Sequence, residues 1–282
     1  MVGAPRRREA VRYLQSHYAV SERRACRVTG SARSVHRYEP RRPSQEALRQ
    51  RIRDLARRRV RYGYKRIHVM LKREGIHVNK KRVHRLYCLE GLQLRAKRPR
   101  RHVSAATRQP PRAKPRAPDV AWSMDFVADQ TSGGEKFRAL TIVDVFTREC
   151  LAIEPGRKLG GADVVRVLGA IVAKRGAPRR IYCDNGSEFA GRLVDLWSYS
   201  NQVVLEFSRP GKPTDNAYIE SFNGSLRDEC LNVHWFEDLT DAREKMQAWQ
   251  REYNESRPHQ SLNDLSPLQY KARWAERRSE IR

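Results

Sequence analysis

AWSMDFVAD, residues 121–129, is the stretch whose reading decides the fold. Trp122, Met124, Phe126 and Ala128 alternate with the other side chains, the period-two pattern of a strand with one buried face. Asp125 stands in its middle, and a carboxylate inside an apolar strand is costly unless it is paired or holds a cation. Working outward, Thr131-Ser132-Gly133-Gly134 signals a hairpin turn, FRALTIVDVF (137–146) an antiparallel return strand and ECLAIE (149–154) a third strand. A helix over about 162–174 follows, apolar at Val164, Val165, Val167, Leu168 and Ile171. RRIYCD (179–184) then reads as a short buried strand ending on Asp184. NGSEF leads into a helix around 191–199, QVVLEFS (202–208) is another strand, and a helix over about 216–230 carries Glu220 in its first turns. The order β-β-β-α-β-α-β-α predicts a mixed sheet flanked by helices, an α/β architecture. The tail predicts a helix over 239–253, a turn at Arg257-Pro258 and a last helix after Pro267. Trp249, Tyr253, Leu262, Leu265 and Tyr270 read as packing residues, Trp235 as core, and the lone His259 as structural.

Upstream the texture is different. The 282 residues carry 58 Lys and Arg against 32 Asp and Glu, a net charge of +26. Residues 1–118 hold 35 basic and 7 acidic residues, +28, whereas residues 119–282 hold 23 and 25, −2. So localised an excess is hard to keep compact without counter-charge and points to nucleic acid, with an anionic membrane surface the second candidate. No apolar run approaches a membrane span and the N-terminus lacks a signal-peptide pattern, so a cytoplasmic protein is expected. The five cysteines are odd in number and scattered, which suits a reducing compartment and excludes a disulfide framework.

Within the basic half, residues 1–43 show a short helix capped by Ser21, a turn at Thr29-Gly30-Ser31 and a further helix, a helix-turn-helix pattern. Residues 44–97 repeat it more clearly: Ser44 capping a helix to about residue 59, a helix over 65–73, a turn at 74–78, and a third helix from Lys80 capped by Asn79 and stopped by Gly91. Val83, Leu86 and Tyr87 form the buried stripe of that third helix, which exposes Lys80, Lys81, Arg82, His84 and Arg85. This is the pattern of a recognition helix, with a solvated charged face the plainer alternative; Arg82 and Arg85 suit phosphate or guanine equally. Lys65 and Arg66, opening the preceding helix, are further candidate DNA contacts. Residues 98–118, with five prolines, seven Lys and Arg and no acid, read as an extended basic linker. The α/β region is then 119–236 and a helical extension 237–282.

Asp125, Asp184 and Glu220, the last two separated by 35 residues, are the acids in informative places. With their surrounding words, WSMDFVAD, FRALTIVDVFTRECLAIE, YCDNGSEF and KPTDNAYIESFNGSLRDECL, the chain resembles the IS-three family of bacterial insertion-sequence transposases. RYGYKRIHVMLKREGIHVNKKRVHRLY (61–87) and WQREYNESRPHQSLNDLSPLQY (249–270) extend that resemblance over nearly the whole chain. It implies a ribonuclease-H-like core behind an all-α helix-turn-helix region. It implies metal-dependent cleavage and strand transfer of DNA at an Asp-Asp-Glu site holding two Mg²⁺ or Mn²⁺ ions through Asp125, Asp184 and Glu220. Double-stranded DNA, as the element's terminal repeats and its target, is the implied partner, bound by a homo-multimer. The upstream-frame product, separate or as a frameshift fusion, is a further implied partner, since no leucine-zipper heptads occur here. Arg227, seven residues after Glu220, matches a family position that contacts DNA near the active site. Asn185 lies in the loop after Asp184, with Glu188 a supporting group or charge partner; Asn216 and Asn223 bracket Glu220 and would orient it or touch DNA. Asp144 reads as structural, paired with Arg148. Two other functions compete: a helix-turn-helix regulator or remnant without transposition activity, and a ribonuclease-H-type nuclease that cuts without joining. The intact acid triad argues against the first and the basic DNA-binding half against the second.

Overall fold

The computed structural model describes residues 4–38, 45–94, 115–209 and 216–279. Residues 98–114 of the proline-rich segment and 210–215 of the loop before Glu220 lie outside the described residues. The chain forms two compact units that divide between Arg49 and Gln50.

In the first unit, α1 (Ala4–Tyr18), α2 (Glu22–Val28) and α3 (Arg33–His36) enclose a small core of Val11, Ala25 and Cys26. The Ser21 hydroxyl caps α2, and Gly30, at φ +61°, supplies the left-handed turn after it. Arg37 holds both oxygens of Glu22, at 3.0 and 3.0–3.2 Å, an exposed pair that locates α3 against α2.

The second unit begins with three helices, α4 (Glu46–Arg58, crossing the division), α5 (Tyr64–Arg73) and α6 (Lys80–Leu89). The stripe Val83, Leu86 and Tyr87 read from the sequence is buried, and it closes with Ile52 and Leu55 of α4 and Ile67 and Leu71 of α5, which are buried too. The Asn79 side chain accepts the Lys81 N–H at 2.8 Å, capping α6, and Gly75 (φ +79°) makes the turn before it. This trio shares its compact unit with the α/β part instead of standing apart from it. Arg73 donates to the Ser256 and Asp264 carbonyls and to Gln269, and Arg61 pairs with Asp228 at 2.8 Å.

The sheet runs β3-β2-β1-β4-β5. β1 (Ala121–Gln130), β2 (Lys136–Asp144) and β3 (Cys150–Gly156) are antiparallel; β4 (Arg180–Cys183) and β5 (Val204–Phe207) are parallel additions beside β1. Side chains alternate between two layers. Trp122, Met124, Leu140 and Ile142 pack on α7 (Gly161–Arg175) and α8 (Arg192–Ser200). Val127, Phe137, Ala139 and Ile153 pack on α9 (Ala217–Leu226) and α10 (Leu239–Glu255). The chain closes with α11 (Pro267–Ser279). This three-layer α/β/α arrangement with antiparallel β1–β3 and parallel β4–β5 is the ribonuclease-H-like fold read from the sequence.

Three local readings are corrected. The helix expected to run to residue 230 ends as α-helix at Leu226 and continues as a π-helical turn, Arg227–Leu231. Trp235 is 83% exposed, because its neighbour Phe236 takes the core position against Phe137. Asp144 is structural and fully buried, but Arg148 is not its partner: one carboxylate oxygen accepts the Thr147 N–H and hydroxyl at 2.6 and 2.7 Å, the other the Asp119 N–H at 2.8 Å. Burial pushes that carboxyl upward while these donors hold it down. All five cysteines are free, and among the described residues no helix is long and apolar enough to cross a membrane.

Candidate active site and DNA-facing helix

The sheet topology brings the first two acids together. β1 and β4 pair in parallel only over residues 121–123, with Ser123 opposite Tyr182. Extending that register by two residues sets Asp125 beside Asp184, at the point where the strands part. This is the carboxyl end of β4 and the switch point of the sheet, since β2 lies on the other side of β1. By alternation Asp125 shares the face of Ser123 and Val127, the face that α9 covers. Glu220, exposed in the first turn of α9, is the third acid on that side.

Asp125 is held from two directions. One oxygen accepts the Phe126 N–H at 2.8 Å, a donor available because β4 has ended, and the other accepts the Asn223 amide at 2.9 Å. Thr141, opposite Asp125 on β2, lies within hydrogen-bond range of both the Asn223 carbonyl (2.9 Å) and the Asp125 backbone carbonyl (3.0 Å); its single proton serves one at a time. Burial lifts the Asp125 carboxyl to about 6. The Phe126 and Asn223 donors oppose the rise, and the negative charges of Asp184 and Glu220 add to it. Three carboxylates on three elements therefore act on one another. No three His, Cys, Asp or Glu side chains among the described residues lie close enough together to hold a metal ion.

The loop after Asp184 is built for a close turn. The Gly186 N–H donates to the Asp184 carboxylate at 3.0 Å, and a Cβ on Gly186 would sit 3.0 Å from that same oxygen and 3.3 Å from Glu188. Asn185 donates to the Ser208 carbonyl at 2.8 Å, tying this loop to the end of β5. Glu188 is a charge partner: Arg138 pairs with it at 2.5 Å and holds its carboxyl below the ordinary range. The same guanidinium lies over the Phe126 ring, which stacks on Phe189.

Asn216 and Asn223 do not orient Glu220. Asn216 is buried, accepts the Ser123 hydroxyl and donates to the Met124 carbonyl, pinning the start of α9 to β1; Asn223 orients Asp125. Among the described residues Glu220 has no hydrogen-bond or ionic partner. Arg227 opens the π-helical turn and donates to the Ala128 carbonyl at 3.0 Å, so its side chain runs along β1 from an exposed position. On α6, Lys80, Lys81, Arg82 and Arg85 are exposed, as is Lys65 on α5. Arg66 is turned inward: it donates to the Pro258 and Arg61 carbonyls and lies over the Tyr62 ring, so it is not on the outward face. Sequence reading missed Thr141, Ser123 and Arg138. A lone hydroxyl in the apolar run ALTIVDV was the available signal for Thr141; nothing local marked the other two.

The mixed sheet with a three-helix basic module ahead of it is the organisation of an integrase-type protein, as comparison with known families shows. Integrase core domain models match residues 115–213 and 201–267, and an HTH-like domain model matches residues 43–101. The insertion element IS407 31.7 kDa protein of Burkholderia multivorans is 46% identical over 255 residues, covering 90% of this chain and 91% of that one. The insertion element IS476 39.2 kDa protein of Xanthomonas euvesicatoria is 40% identical over 273 residues, covering 95% and 78%. The simian T-cell lymphotropic virus intasome, solved with a PP2A regulatory subunit, aligns at a TM-score of 0.49 with 15% identity over 72% of this chain and 70% of that one. The chain belongs to the insertion-sequence transposases of the IS-three type, as a downstream-frame product with an integrase core and an HTH-like domain.

Proposed function

We propose that this transposase cuts and joins DNA through Asp125, Asp184 and Glu220. The observation that carries the reading is geometric: the β1–β4 register, continued past Ser123 and Tyr182, brings Asp125 level with Asp184 at the end of β4, on the face covered by α9 with Glu220 in its first turn. Burial, with smaller contributions from the charges of Asp184 and Glu220, lifts the Asp125 carboxyl to about 6, a cost that a bound cation would relieve. Three carboxylates are also the hard-oxygen donor set that suits Mg²⁺ or Mn²⁺ without filling its shell. Two ions are expected, with Asp125, Asp184 and Glu220 as their ligands; when bound, they supply Lewis-acid charge to the attacking and leaving oxygens of an in-line displacement.

The chain's own contribution is positioning. Asn223 and the Phe126 N–H fix the Asp125 carboxylate, so this ligand is oriented before DNA arrives. Asn216 clamps the first turn of α9 to β1 and with it the level of Glu220. Gly186 holds the Asp184 side chain at the strand end. The proposed reaction is the one the family resemblance implies: attack on phosphorus by water to nick a strand, then by the freed 3′-hydroxyl to join it, with no covalent protein–DNA intermediate. Lys80, Lys81, Arg82 and Arg85 on α6, with Lys65, are the proposed duplex contacts, and Arg227 a contact near the acids. Joining two element ends calls for a homo-multimer on DNA, and the upstream-frame product is the proposed accessory partner.

The test is a strand-transfer assay with Mg²⁺ or Mn²⁺ and labelled DNA bearing the element's own ends, with and without the upstream-frame product. Joined products that disappear in Asp184→Asn and Glu220→Gln, while gel-shift affinity for those ends persists, support the reading. Binding with neither nicking nor joining under every condition leaves a DNA-binding regulator instead.

A further inference from the structure

A cavity of about 660 Å³ opens on a different face of α9 from the one that Asn223 presents to Asp125. Its walls come from the start of α5, the turn between β2 and β3, α9, and the segment after α10. The lining includes five Arg and Lys side chains and no Asp or Glu. Glu229, the carboxylate paired with the lining Arg257, is already engaged: Arg257 takes both its oxygens at 2.6 and 2.9 Å, and Arg66 stands 4.0 Å away. Arg61 is paired with Asp228 outside the cavity. Arg66 and Arg257 thus share one engaged carboxylate, Arg148 has no acidic partner among the described residues, and Lys65 adds a fourth cation.

Two buried polar atoms in this wall lack partners among the described residues: Arg148 Nη1 and His259 Nε2. Unsatisfied buried donors are costly, and a charged one more so. Arg148 is also held in place, its guanidinium stacked over the Tyr218 ring at 3.9 Å. His259 is 9% exposed, and burial with the charges of Arg257, Arg66 and Arg148 pushes it down to about 3, so the ring is neutral and offers a hydrogen bond without adding charge. Excess cations, orphaned donors and an aromatic wall all call for one kind of occupant, an anion with a flat apolar part.

We propose that this cavity binds a single nucleotide unit, its phosphate held by Arg148, Arg66 and Lys65 with His259 Nε2 as a further hydrogen-bond partner, and its sugar and base filling the remaining volume beside Tyr218. The volume falls in the range of small-ligand sites, roughly 300–1,000 Å³, and exceeds what a lone phosphate occupies. The nucleotide belongs either to a DNA strand or to a free mononucleotide; both present the same phosphate, sugar and base. The site does not rest on the role of the three acids, since none of its lining residues is one of them.

The test is calorimetric titration of the full chain with inorganic phosphate, with 2′-deoxyadenosine 5′-monophosphate and with a short single-stranded oligonucleotide. Arg148→Gln, the cavity-blocking Ser221→Trp and, as a control, the exposed Lys136→Ala at the far end of β2 from Arg148 are titrated alongside, and far- and near-ultraviolet circular dichroism checks each fold. One-to-one binding that weakens at least tenfold in Arg148→Gln and Ser221→Trp, but not in Lys136→Ala, is the expected result. Seen with the mononucleotide, it identifies a free-nucleotide site; seen with the oligonucleotide alone, it identifies a DNA strand as the source. Equal affinity in wild type and both cavity variants, a loss of the same size in Lys136→Ala, or no binding of any probe would overturn the proposal. Should Arg148→Gln not fold, Ser221→Trp, a change at an exposed helix position, carries the same comparison.

Discussion

Asp125→Asn is expected to stabilise the metal-free protein at neutral and alkaline pH while abolishing strand transfer. Burial lifts this carboxyl from its ordinary 3.8 to about 6. The sign follows from linkage. Below about pH 4 the group is neutral in the folded and unfolded chain alike and costs nothing. Between those two values it ionises more readily in the unfolded chain, so stability falls as pH rises, and above about pH 6 the whole penalty is present. At 1.36 kcal/mol per pH unit the interval corresponds to about 3 kcal/mol, and partial exposure of the side chain discounts it to about 2 kcal/mol. Asparagine carries no charge to desolvate or to be repelled by Asp184 and Glu220. It keeps an acceptor for the Phe126 N–H, but its amide meets the Asn223 amide, so Asn223 must flip. Thr141 can then donate to the Asp125-position backbone carbonyl instead, which limits the cost to a few tenths to about 1 kcal/mol. A net gain of about 1–2 kcal/mol at pH 8 remains, or about 2–8 °C in Tm for a unit of this size. The assay is thermal and urea unfolding of both proteins in a chelating buffer from pH 4 to 8. A gap that opens between pH 4 and 6 and then holds, and that narrows when Mg²⁺ is added because the cation stabilises the wild type, is the expected outcome. A variant equally or less stable at pH 8, or a gap independent of pH, would refute the placement of Asp125 in a repulsive, half-buried acid cluster.

Arg257→Gln removes the partner of buried Glu229, with both side chains under a tenth exposed, and should cost about 3 kcal/mol in urea unfolding because Arg66, 4.0 Å away, compensates only in part. Asn79→Ala deletes the cap of α6 and should lower stability by about 1 kcal/mol, read as a lower thermal midpoint, and weaken DNA affinity with it. Lys81→Ala, an exposed change on the same helix, should leave the midpoint unchanged. It should also reduce the slope of log affinity against log salt by about 0.9, the signature of one lost phosphate contact; an unchanged slope would place the duplex elsewhere.

The strands were legible because period-two alternation survives in AWSMDFVAD and FRALTIVDVF, and the helices because their stripes and caps are local. Asn79 capping α6 and Ser21 capping α2 needed only neighbouring residues, and both are present. Trp235 shows the limit: hydrophobicity alone does not say which of two adjacent aromatics turns inward, and the chain seats Phe236 while leaving Trp235 in solvent. Arg148 shows another, since it is close to Asp144 in sequence yet stacks on Tyr218 from a distant helix. Asn223 and Asn216 were found as polar residues near Glu220, but their targets lie on β1, 92 to 98 residues away.

What the sequence by itself determined is the layer architecture, the charge division between a +28 half and a −2 half, and the three acids with their surrounding words, because composition, periodicity and motifs are properties of the chain order. What only the tertiary structure decided is who touches whom. The parallel register of β1 and β4 aligns Asp125 with Asp184, the π-helical turn sends Arg227 to Ala128, and Arg66 turns inward toward a cationic cavity. These pairings join residues tens to nearly two hundred positions apart, and their energies depend on burial and distance, which no local pattern encodes.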